Sequence, residues 1–138
     1  MLLEGHACMT EEEAQQCSPL RLAYIGDTVW DLLTRTRLMY LNHNLHHMHE
    51  EAIASVNAHA QSQAYAAVSP FLTQKEEAIA RRGRNAHARH GAPKHQSPAD
   101  YQAATALETL FGYLYLTGQE ERIRLLFAMT QHTEESHA

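Results

Sequence analysis

The sequence predicts an all-α fold in a single domain. Helix-start signals recur along the chain, glycine, proline and asparagine punctuate the segments between them, and no stretch alternates apolar and polar residues long enough to make a strand.

The elements follow in order. Thr10 with Glu13 has the form of a capping box and opens a short first helix. Ser18-Pro19 supplies an N-cap and a first-turn proline for a longer helix running to about Tyr40. Asn42 to Asn44 break it, and an alanine-rich third helix is expected from about Leu45 to Val68, ended by Ser69-Pro70. Thr73 and Glu76 form another capping box, for a helix of about Gln74 to Asn85. A loop with Gly91 and Pro93 follows, and Ser97-Pro98 repeats the cap-and-proline start. The helix it opens is strongly apolar from Ala103 to Leu116 and stops at Gly118, a suitable C-cap residue. Gln119 to about His132 forms the last helix.

A chain of 138 residues, 44% hydrophobic and 20% charged, is long enough for one real core and is not a disordered composition. No apolar run approaches the roughly 20 residues of a membrane span. Met1 to Thr10 lacks the pattern of a signal peptide, and Cys8 and Cys17 are too few for a disulfide framework, so a cytoplasmic setting is expected. The net charge of −5 argues mildly against a polyanion partner, but its distribution does not. Arg81, Arg82, Arg84, Arg89 and Lys94 are five of the 11 Lys and Arg, with no acid among them. A local basic patch on an acidic protein calls for an anionic partner or is a solvated charged loop.

Two acids stand out. Glu108 lies inside the most apolar helix, and Asp27 lies in the run Leu22-Ala23-Tyr24-Ile25-Gly26-Asp27-Thr28-Val29-Trp30. A buried carboxylate must be neutralised, hydrogen-bonded or bound to a cation. Two helices that each bury one suggest a shared Mg²⁺, which takes oxygen ligands and fills its shell with water and substrate phosphate. The bland alternative is a structural partnership with Arg, Tyr or Ser. Asp31 reads as an acid paired with Arg35, one turn on. Gly26 in a helix interior is costly unless another backbone or a ligand must come close. The cluster His43, His46, His47 and His49 has some ligand-like spacing, yet no cysteine accompanies it, and a surface face is the simpler reading. Phe111, Tyr113 and Tyr115 read as packing residues.

Leu22 to Asp31 resembles the signature helix of the ribonuclease III catalytic domain, and Ala106 to Leu116 resembles that domain's second acidic helix. Arg81-Arg82-Gly83-Arg84-Asn85-Ala86, Pro93-Lys94, Tyr101 ahead of Ala104-Thr105, and Leu116 to Arg122 extend the likeness over about Pro19 to Phe127. The likeness is greatest to the short subfamily called Mini-ribonuclease III, which lacks a separate double-stranded-RNA-binding domain. The resemblance implies a helical bundle working as a homodimer, an endonuclease that cuts double-stranded RNA with a Mg²⁺-activated water (Mn²⁺ a substitute), and 5′-phosphate products. It implies a role in maturation of large-subunit ribosomal RNA, with a ribosomal protein as a further partner that shapes the substrate. By position, Asp27 and Glu108 take the catalytic and metal-binding roles. Leu20, Ala23 and Thr105 stand where the full-length enzymes carry further acids. The expected RNA-binding residues are Arg81, Arg82, Arg84, Asn85, Arg89 and Lys94. Two readings compete with the nuclease: a double-stranded-RNA-binding scaffold that kept the fold without activity, and a zinc protein built on the histidines.

Overall fold

In the computed structural model, residues 2, 5, 7–41, 44–86 and 97–131 are described. Among these residues there are seven α-helices, α1 Glu11–Gln16, α2 Pro19–Leu41, α3 Leu45–Ser55, α4 Ala58–Val68, α5 Gln74–Ala86, α6 Pro98–Leu116 and α7 Glu120–Thr130, with a 3₁₀ turn at Ser69–Phe71. No strand occurs among the described residues. The all-α expectation is met.

The starts fall where the local chemistry put them. Thr10 and Glu13 exchange both hydrogen bonds of a capping box, as do Thr73 and Glu76. The Ser18 and Ser97 hydroxyls accept from the amides of Arg21 and Asp100. Gly118 takes the left-handed conformation, φ +74°, that ends α6.

One boundary differs from expectation. The stretch from Leu45 to Val68 is two helices, because the Asn57 side chain accepts from the Ala60 amide and caps a new start. Its Nδ2 also donates to the Ala54 carbonyl, and the Trp30 indole donates to the Ser55 carbonyl, so the freed end of α3 is satisfied as well.

Helix α6 is the axis on which α2, α4 and α5 pack. Leu107, Leu110, Phe111 and Leu114 are wholly buried on it, each contributing about 1.5–3 kcal/mol by leaving water. Trp30 from α2 sits edge-on to Phe111 and to Phe127 of α7, with ring centroids 5.4 and 5.3 Å away. The far side is closed by polar clips. Glu76, 4% exposed, takes two hydrogen bonds from Arg122. Burial alone would raise its carboxyl, but Arg122 and the Thr73 cap hold it below the usual range. Tyr113, buried on α6, donates to Glu11 of α1.

Candidate active site

The site is made by the crossing of α2 and α6. A Cβ added to Gly26 would lie 1.7 Å from the Glu108 carbonyl oxygen, and one added to Gly112 would lie 1.9 Å from that of Leu22. Only glycine lets the two backbones touch there, which is the close approach the interior Gly26 implied. The crossing sets Asp27, one residue past Gly26, against the side chain of Glu108.

Asp27 and Glu108 share an open cleft of about 690 Å³ with Leu20, Ala23, Tyr24, Ile25, Thr28, Tyr101 and Thr105. Burial first, then the charge of Asp27 and a hydrogen bond with it, push the Glu108 carboxyl up to about 8. Among the described residues, no cationic side chain contributes to the Glu108 shift. Without a cation, Glu108 carries a proton at neutral pH and shares it with Asp27. Two carboxylates forced together on a water-accessible cleft suit a hard divalent ion, which would displace that proton and take its remaining ligands from solvent or substrate.

One expectation needs correction: Asp27 is exposed, not buried, and Glu108 is partly buried. The apolar run around Asp27 misled because part of it faces out; Tyr24 is 84% and Leu20 38% exposed. Asp31 pairs with Arg35 at 3.0 Å, as expected. His46 and His47 pair with Glu50 and Glu51 at 3.0 and 2.7 Å. His43 lies outside the described residues.

The cations separate into different roles. Arg81 is exposed and pairs with Glu77 at 2.8 Å. Arg82 donates to the Cys17 carbonyl at 2.8 Å, tying α5 to the end of α1. The Arg84 guanidinium lies 5.2 Å from the Tyr65 ring centre. Asn85 is exposed, while Arg89 and Lys94 lie outside the described residues. Gly83 brings this end of α5 to the cleft: a Cβ there would lie 2.2 Å from Thr109 Oγ1 and 3.1 Å from the Thr105 carbonyl. Thr28 and Tyr101 are cleft residues to which the sequence assigned no role. For Tyr101 a signal existed, since positions 101, 105 and 108 share one helical face.

The model of the ribonuclease III domain matches residues 20–119, a span that contains both helices of the crossing. The chain belongs to the ribonuclease III family. The family makes it an endoribonuclease, a hydrolase of phosphodiester bonds. A Mini-ribonuclease 3 of Symbiobacterium thermophilum is 44% identical over 106 residues, covering 76% of this chain and 81% of the relative. One from a Synechococcus species is 36% identical over 132 residues, 96% and 94% of the two chains. A crystal structure of a Fusobacterium nucleatum protein, 29% identical, superposes with a TM-score of 0.78 over 87% of this chain and 96% of its own. Leu20, Ala23 and Thr105, where the resemblance implied further acids, all line the cleft.

Proposed function

We propose that this protein is a Mg²⁺-dependent endoribonuclease that cuts double-stranded RNA as a homodimer in the cytoplasm, in the maturation of large-subunit ribosomal RNA. The observation that carries the reading is the meeting of Asp27 and Glu108 across the glycine crossing, in a cleft open to a large substrate. The relatives named Mini-ribonuclease 3, matched over 81% and 94% of their own length, support the assignment to that subfamily. When bound, Mg²⁺ would supply Lewis acidity and an activated water for attack on phosphorus.

The chain's own residues do the rest. Asp27 presents an exposed carboxylate, and Glu108 would be the second oxygen ligand once deprotonated. The cationic end of α5, packed beside Thr105 through Gly83, faces the phosphates of a duplex lying along the cleft, with Arg89 and Lys94 extending the grip.

The deciding experiment is cleavage of a long RNA duplex with and without Mg²⁺ by the wild type, Asp27→Asn and Glu108→Gln. Cutting that needs Mg²⁺ and disappears in both variants, while duplex binding persists, is the expected result. Binding without cutting by the wild type would establish the inactive scaffold instead.

A further inference from the structure

His59 stands in the first turn of α4, its side chain 70% exposed, with Nδ1 3.1 Å from Oδ2 of Asp100 in the first turn of α6. Asp100 also accepts from the Ser62 hydroxyl, and these two hydrogen bonds, His59 first, hold its carboxyl below the usual range. An ionised carboxylate only accepts hydrogen bonds, so the ring nitrogen facing it carries the hydrogen. In a neutral imidazole the other nitrogen, Nε2, is then an acceptor. The pair is anchored on the helix that carries Glu108, and Tyr101, the residue after Asp100, lines the active-site cleft. Along the backbone of an RNA duplex the phosphates offer only acceptors. The 2′-hydroxyl is the group that can donate, and it is what separates RNA from DNA.

We propose, on the reading that the substrate is duplex RNA, that His59 accepts a hydrogen bond at Nε2 from one ribose 2′-hydroxyl and thereby selects RNA over DNA near the cut. Asp100 acts through His59 as a positioning residue that fixes the tautomer. Asp100 and Glu108 are eight residues apart on one helix, about 12 Å along its axis at roughly 1.5 Å per residue. The ribose concerned therefore lies a few nucleotides from the bond that is broken.

The test uses a short RNA duplex cut at one position, with single 2′-fluoro substitutions walked through about four nucleotides on each side; this removes the donor and keeps the ribose pucker. The assay is run at pH 8, where imidazole side chains are ordinarily neutral. The wild type should lose roughly fivefold in kcat/KM at one position in that window, the worth of one hydrogen bond. His59→Ala should lose about as much on the all-ribose duplex and show no further loss at that position. Asp100→Asn, whose amide can also donate to the ring, should show a reduced penalty at the same nucleotide. A wild type indifferent throughout the window overturns the proposal, as does a sensitive position whose penalty is undiminished in His59→Ala. Should His59→Ala fail to fold in a thermal melt, an undiminished penalty in Asp100→Asn overturns it equally. A wild type that cuts no all-ribose duplex defeats the duplex-RNA reading itself, and the proposal with it.

Discussion

At the scale of single residues, Glu108 makes a testable link between stability and pH. Its folded value of about 8 lies above the ordinary carboxylate value, so between the two the folded state holds a proton that the unfolded chain has released. Without metal, its contribution is fully present at pH 4 and is lost as the pH rises through about 8. Thermal melts of the chelated protein should therefore show Glu108→Gln gaining stability over the wild type from pH 5 to pH 8, on the order of 1–2 kcal/mol at the upper end, since the cleft admits water. A constant difference across that range would refute a perturbed Glu108. Because burial is the larger cause and Asp27 the lesser, Asp27→Asn should bring the Glu108 titration down only part of the way, as read by carboxyl carbon NMR. Both acids were legible in the sequence, since charge inside an apolar run is a local anomaly. The exposure of Asp27 was not, because the run does not say which of its apolar neighbours find a partner.

At the scale of elements, the fold was legible where hydrogen bonds are local. Caps such as Thr10–Glu13 and Thr73–Glu76 close within one turn and need no tertiary information. The division between α3 and α4 was missed because Asn57 sits in an alanine-rich stretch, where its choice between helix interior and cap is settled by Trp30 holding the Ser55 carbonyl from 25 residues away. Asn57→Ala should cost about 1 kcal/mol by loss of the cap. The α2–α6 crossing is far less forgiving. In Gly26→Ala the added methyl meets a backbone carbonyl rather than a movable side chain, so the helices must part. The expected cost is at or above the upper end of about 1–3 kcal/mol for overpacking, and cleavage should be lost together with folding stability in denaturant titrations. If Gly26→Ala melts like the wild type, the crossing is not the close backbone contact described. The Glu76–Arg122 clip is a separate case: Arg122→Ala leaves a carboxylate that is 4% exposed without its cation, a loss of about 3 kcal/mol.

At the scale of the whole molecule, the question is how a chain of net charge −5 grips a polyanion. Sequence alone treats Arg81, Arg82, Arg84, Arg89 and Lys94 as one basic patch, because composition records charge but not the partner each charge has. The fold divides the described members. Arg82 is committed to the Cys17 carbonyl, whereas the Arg81 pair with Glu77 is exposed and an exposed pair of this kind is worth only about 0–1 kcal/mol. Arg81 can therefore leave its partner for a phosphate at little cost, and Arg82 cannot. Each phosphate neutralised on a nucleic acid duplex releases condensed counterions and adds about 0.9 to the slope of log affinity against log salt. Duplex-RNA binding by Arg81→Ala should then show a slope shallower by about one with an unchanged melting temperature. Arg82→Ala should melt earlier, through the loosened joint between α1 and α5, and keep nearly the wild-type slope. The two substitutions are adjacent in sequence and identical in charge change, so electrostatics at long range would affect them alike. Equal slopes and equal melting temperatures in the two variants would show that the patch acts as a diffuse field rather than through individual contacts.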